Sequence, residues 1–207
     1  MNKKIVVAIS GASGSIYGIR LLKALLNTPV NVYLIISRAG KMVLKHETGY
    51  SGGSFESFLK DEGIVFHKKA VFEILGENDL FAPPASGSFR YDGMVIAPCS
   101  MKTLAAIVSG IADNLINRAA DVCLKEKRPL ILLPRETPLS TIHLKNMYEA
   151  ALSGAVIMPP SPSFYSIPKT INDLVDTIVA RVLDHLKIEQ RLMKQWGYNT
   201  HGEKNDV

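Results

Sequence analysis

The sequence predicts an α/β fold: one Rossmann-like (flavodoxin-like) domain, a doubly wound parallel sheet with helices on both faces. Three observations predict it. Short apolar runs alternate with helical patterns, the signature of βαβ units. The 207 residues suffice for one sizeable core, and no linker or internal repeat divides them. The residues after the apolar runs are small or polar, as befits strand ends where such sheets bind ligands.

The elements follow in order. Ile5–Ile9 reads as a first strand, since its apolar run is too short for a signal peptide and no cleavage site follows. A Gly/Ser turn leads into a helical stretch from about Ile16 to Asn27, and Val30–Ile36 is the second strand, ahead of a helical segment at Lys41–Glu47. Residues 49–53 form a Gly/Ser break, followed by a weaker helix at Phe55–Glu62 and a strand near Ile64–Phe66. Met94–Ala97, Leu130–Leu133 and Ala155–Met158 are the later strands. The last helix, Ile171–Lys187, carries Leu174, Val175, Ile178, Val179, Val182, Leu183 and Leu186 on one broad apolar face, with Thr170 and Asp173 as its capped start. The domain is expected to span residues 1–196, with a polar tail over 197–207.

Composition excludes several classes. An apolar content of 47% with 21% charged residues is that of a globular protein, and no run approaches the roughly 20 apolar residues that span a bilayer. The net charge of +5 is scattered, with no cationic run interleaved with aromatics, so it suits a small phosphorylated ligand as well as a polyanion. Neither nucleic acid nor membrane is expected as a partner. Two cysteines without ligand spacing imply no disulfide framework and no metal, and a reducing, cytoplasmic location.

Chemistry is expected at five turns. Ser10-Gly11-Ala12-Ser13-Gly14-Ser15 lets the backbone approach a phosphate at a helix N-terminus, or is an ordinary βα turn. It matches neither G-x-G-x-x-G nor a Walker A loop, which argues against NAD and ATP. Ser37 supplies a hydroxyl to the same ligand or simply caps a helix. Pro98 stops the third long strand, and Ser100-Met101-Lys102-Thr103 make a second anion-receptive turn; Cys99 is read as a buried structural thiol, having no partner spacing for a nucleophile. Arg135-Glu136, held between Pro134 and Pro138, offer a cation and an acid or base, or form a surface pair. The Pro-rich connection 159–168 with Phe164-Tyr165 covers an apolar ligand or packs as a surface loop. Arg181 falls about 20° from Leu174 on the helical wheel, at the margin of the apolar face, where it either snorkels or meets a phosphate.

Six segments together resemble the flavin prenyltransferase family (UbiX-like, with older names as phenylacrylic or hydroxyarylic acid decarboxylase subunits). They are ISGASGSIYG at 9–18, APPASGSF at 82–89, APCSMKTLAAI at 97–107, NRAADVCLKEKRPL at 117–130, PRETPLSTIHLKNM at 134–147 and GAVIMPPSPSFY at 154–165. They cover nearly the whole chain; the stretch Gly49–Glu77 shows little to align. The resemblance implies FMN held by Gly11, Ala12, Ser13, Ser37, Ser100, Met101, Lys102, Thr103 and Arg135, and dimethylallyl phosphate met by Tyr165 and Arg181. Lys125 and Glu136 are then the catalytic residues near the phosphate. It also implies metal-independent transfer of the dimethylallyl group to reduced FMN at N5 and C6, giving prenylated FMN for a UbiD-type decarboxylase. A homo-oligomer, dodecameric by resemblance, is expected to build the site at subunit contacts. Leu80 stands where the family often has an aromatic residue. Two alternatives carry less of the sequence: an FMN-dependent cysteine decarboxylase, whose PASANT-like loop is replaced here by Pro98–Thr103, and a flavin-binding module without chemistry.

Overall fold

Strands buried on both faces need apolar side chains at every position, and the central runs of this chain have them. The computed structural model describes residues 2–193. Its strands are β1 (Lys4–Ile9), β2 (Asn31–Ile36), β3 (Phe72–Leu75), β4 (Gly93–Cys99), β5 (Leu130–Pro134) and β6 (Val156–Ile157). They form one six-stranded sheet in the order β3-β2-β1-β4-β5-β6, with every pairing parallel. The helices are α1 (Ser15–Leu26), α2 (Arg38–Glu47), α3 (Phe55–Asp61), α4 (Met101–Val108), α5 (Leu115–Lys125), α6 (Thr141–Leu152) and α7 (Ile171–His185).

Strand alternation divides the core in two. Ile5, Val7 and Ile9 of β1 point to one face and pack with α1, α3 and α7, whereas Val6 and Ala8 point to the other and pack with α4 and α5. The winding reverses between β1 and β4, and at such a switch point the flanking loops part to leave a crevice at the strands' carboxyl ends.

Close approach places α1 over this junction. A Cβ at Gly18 would lie 2.5 Å from the Ala97 carbonyl oxygen and 3.0 Å from the Ile9 side chain. Arg20 of α1 donates from Nε to Asp176 Oδ1 of α7 at 2.8 Å, which fixes the two helices as a pair. Each helix from α2 to α7 begins at a Ser, Asn or Thr whose side chain accepts a backbone N–H of its own first turn, including the expected Thr170–Asp173 box on α7. Helix α1 is different: its N-cap, Gly14, has φ +105° and offers no side-chain cap.

Two expectations need correction. The strand expected near Ile64–Phe66 lies instead at Phe72–Leu75, paired Val32↔Phe72. Ile64 is buried without being sheet, because the backbone turns through His67 N–H to the Leu26 carbonyl, 2.7 Å. Pro98 does not stop β4, which continues to Cys99 across an irregularity in its pairing with β5 between Ile96 and Cys99. The stretch that shows little to align is nonetheless built, since Tyr50, Phe55 and Phe58 form one aromatic cluster with centroids 5.3–5.5 Å apart. The polar tail expected from residue 197 lies outside the described residues. No described helix is long and apolar enough to cross a membrane.

Gly18→Ala sets two effects against each other. Alanine favours the helix by about 1 kcal/mol, but its methyl meets the Ala97 backbone, and overpacking costs about 1–3 kcal/mol. Net destabilisation is expected in urea unfolding; a more stable variant would show that α1 can move away from β4.

Candidate functional site

The crevice is organised by Ser10, the residue after β1, which is 1% exposed. Its hydroxyl donates to the Pro98 carbonyl at 2.9 Å and accepts from the Ser100 N–H at 2.7 Å, while its own N–H also reaches the Pro98 carbonyl at 3.2 Å. The turns after β1 and β4 are thereby joined. The turn after β5 is tied to both: Arg135 donates its backbone N–H to the Cys99 carbonyl at 3.2 Å and its Nε–H to the Ser13 carbonyl at 3.1 Å. On the other side α2 presses in so closely that a Cβ on Gly11 would lie 2.5 Å from Ala39 Cβ. The turns that carry Gly11, Ala12, Ser13, Ser37, Ser100 to Thr103, Arg135 and Glu136 are therefore gathered side by side at the carboxyl end of the sheet.

Three helices start at this space, and their free N–H groups make it anion-receptive. Two are already served by protein carboxylates. Glu47, the last residue of α2, accepts from Gly14 N–H at 3.0 Å and Ser15 N–H at 2.8 Å, so it caps α1 from outside. Burial alone would raise its carboxyl, but hydrogen bonds from Ser13, Ser15 and Gly14 outweigh that and hold it below the usual carboxylate range. Glu77 likewise accepts from the Arg38 N–H at the start of α2, 2.6 Å. Ser37 is the N-cap of α2, accepting from Gly40 N–H at 2.9 Å. Helix α4 begins differently, with neutral hydroxyls: Ser100 Oγ accepts from Thr103 N–H at 3.3 Å and lies 3.0 Å from Thr103 Oγ1, with exposed Lys102 beside them. The start of α4 therefore offers an external anion a helix end, two hydroxyls and a cation.

Glu136 is exposed next to Arg135, its Oε1 accepting from Thr137 N–H at 3.1 Å. Cys99 is fully buried at the end of β4, and burial pushes its thiol up to about 12, so it stays protonated and packs as a structural residue.

Lys125 and Arg181 do not join this group within one chain. Lys125, at the end of α5, is 2.5 Å from Glu126 Oε1 and lies against Gly87. That loop belongs to the opposite end of the sheet, since Lys4, the first residue of β1, has its ammonium 4.8 Å from the Phe89 ring. Arg181 points outward on α7, 61% exposed, and pairs with Asp184 at 3.0 Å. It sits about 15 Å along the helix from its start, near the end where Lys3 donates to the Leu186 carbonyl at 2.7 Å. Tyr165 follows β6 on the crevice side of the sheet but is 81% exposed. Its connection is anchored by Tyr17 Oη–H to the Pro160 carbonyl, 3.3 Å, and by Ser163 N–H to Thr177 Oγ1, 3.3 Å. Leu80 and Phe81 are also exposed, Phe81 completely.

Sequence reading missed Ser10, Glu47 and Glu77 as organisers. Ser10 carries a readable signal, a hydroxyl immediately after an all-apolar strand. The two glutamates carry none, because they reach the crevice from distant parts of the chain.

If Glu47 acts by charge, its contribution has a definite pH dependence. A carboxyl lowered in the folded state stabilises above its unfolded value and loses that contribution as pH falls through the folded one. Glu47→Ala is expected to cost about 0.3–1 kcal/mol at neutral pH, the worth of an anion at a helix N-terminus. The gap from the parent should close on acidification below the carboxylate range in paired urea titrations; a gap independent of pH would make its role one of packing.

The model of the Flavoprotein family matches residues 1–183. A flavin prenyltransferase UbiX from Pseudomonas aeruginosa is 46% identical over 200 residues, covering 94% of each chain. The crystal structure of AnUbiX (PadA1) in complex with FMN and dimethylallyl pyrophosphate superposes with a TM-score of 0.85 at 44% identity, over 95% of this chain and 98% of that one. A dodecameric FMN-dependent Ubix-like decarboxylase from Escherichia coli O157:H7 superposes with a TM-score of 0.83 at 44% identity, over 93% of this chain and 98% of that one. With its crevice at the β1–β4 switch point and this similarity over nearly its full length, the chain belongs to the Flavoprotein family and, within it, to the UbiX-type flavin prenyltransferases.

Proposed function

We propose that this protein transfers a dimethylallyl group from dimethylallyl phosphate to reduced FMN, forming bonds at N5 and C6 and releasing phosphate. The observation that carries the reading is the union of Ser13, Ser100–Thr103 and Arg135 around one crevice, in a chain 46% identical to a flavin prenyltransferase. Gly11, Ala12, Ser13, Ser37 and Ser100 to Thr103 hold the flavin substrate. Its phosphate belongs at the start of α4, where hydroxyls and Lys102 stand, rather than at α1, whose first N–H groups Glu47 takes.

The residues divide the chemistry. Breaking an allylic C–O bond needs cations on the departing phosphate, and Arg135, Lys125 and Arg181 are the cations for it. Glu136, beside Arg135, takes up the proton released when the ring closes. Tyr165, with the Ala85–Gly87 loop that accompanies Lys125 from another copy, supplies an apolar, π-rich wall that keeps water from the developing carbocation. Lys125 and Arg181 stand away from their own crevice, so in this reading they serve the crevice of another copy, in a homo-oligomer of the kind shown by the dodecameric relative. The prenylated flavin then passes to a UbiD-type decarboxylase. The cytoplasm is the compartment that suits two free, buried thiols.

Anaerobic incubation with reduced FMN and dimethylallyl phosphate is expected to yield a flavin heavier by one C5H8 unit, with or without EDTA. An unchanged flavin mass would refute the reading. Glu136→Gln should keep FMN binding while product formation slows by about 10²-fold or more; turnover at the parent rate would remove Glu136 from the chemistry.

A further inference from the structure

Helix α6 covers the β6 edge of the sheet and buries only Ala150 fully, with His143 and Met147 half-buried beside it. At 100° per residue, Leu144, Tyr148 and Leu152 lie about 120–160° from Ala150, on the outward side. All three are exposed, Tyr148 at 62%. The helix is therefore apolar on two opposite faces, and only one of them is used by its own chain.

The outward face has a symmetry of its own. Leu144 and Leu152 are equally spaced before and after Tyr148. Lys145 and Glu149, opposite in charge, follow each other along the same flank of the stripe. A two-fold axis at Tyr148 sets Tyr148 against its counterpart and Leu144 against Leu152 of the partner subunit. It also brings the two like flanks together, with Lys145 two residue rises, roughly 3 Å, from the level of Glu149 of the partner subunit, within reach of two long side chains. A contact that satisfies apolar and charged residues by self-pairing fits a second copy of this chain better than an unrelated partner.

We infer that α6 is an isologous contact, pairing antiparallel with α6 of a second copy about an axis at Tyr148. The inference rests on the homo-oligomer of the proposed function and adds where one of its contacts lies. Helix α6 packs on the α4 layer, whereas Arg181 lies on α7 across the sheet, so this contact is distinct from any that brings Arg181 to a neighbouring crevice. Closed assemblies larger than a ring need two such distinct contacts. The stripe covers on the order of a few hundred Å², less than the roughly 800 Å² each partner buries in a stable dimer. It therefore works as one contact among several.

Both native cysteines are buried, so an introduced surface thiol can be oxidised selectively. Tyr148→Cys under mild oxidation is expected to give a band at twice the chain mass, whereas Glu62→Cys, exposed next to α3, should not. By native mass spectrometry Tyr148→Arg should at least halve the mass of the assembly. Lys145→Glu should weaken assembly and Lys145→Glu with Glu149→Lys should restore it, an exchange that reports on association rather than on helix stability alone. A parent protein that runs as a single chain would overturn the oligomer itself. A parent assembly whose mass survives Tyr148→Arg, with Tyr148→Cys pairing no more than the control, would overturn α6 as the contact and leave the oligomer standing.

Discussion

The site depends on one buried hydroxyl. The paired residues of β1 and β4 run only as far as Ala8↔Ile96, after which the strands must part to open the crevice. Ser10 takes over where the ladder stops, bonding the Pro98 carbonyl and the Ser100 N–H together. Helix α4 hangs from that tie through Ser100, and Arg135 joins it through the carbonyls of Cys99 and Ser13, while Ser37 is held beside it by its N–H on the Ile9 carbonyl. Without the hydroxyl the Ser100 N–H loses its partner, a deficit of about 1–3 kcal/mol, while the Pro98 carbonyl keeps only the longer bond from the Ser10 N–H. That penalty would fall where two halves of the sheet meet without a hairpin to align them.

The crevice also shows how a basic chain spends its acids. Helix starts are local sources of positive potential, and Glu47 and Glu77 meet two of them with the chain's own carboxylates. The remaining start, at α4, has hydroxyls and a lysine instead. The one helix start left for an external anion is thus the one from which carboxylates are withheld, a pattern that net charge does not reveal.

Legibility follows from how local each feature is. The central strands were readable because burial on both faces demands continuous apolar runs, as in Ile5–Ile9 and Leu130–Leu133. Edge strand β3 was not, since an edge pairs on one side and tolerates the exposed Glu73 and Ile74 that break its pattern. Site residues immediately after strands were visible for the same local reason. Glu47 was hidden because it is the far end of α2 that returns to α1, a consequence of packing. For Arg181 the wheel described its angle around the helix but not its height, and height separates it from its own crevice.

The sheet's two margins bear on how copies of this chain behave when crowded. β6 is only two residues long, with α6 alongside, and β3 is four residues long, with Glu73 in its middle and Lys68-Lys69 just before it. Short, charged margins are poor templates for strand addition. The chain can therefore accumulate at high concentration with little tendency to extend its sheet into amyloid-like fibrils, and any association it undergoes is left to side-chain surfaces of defined shape.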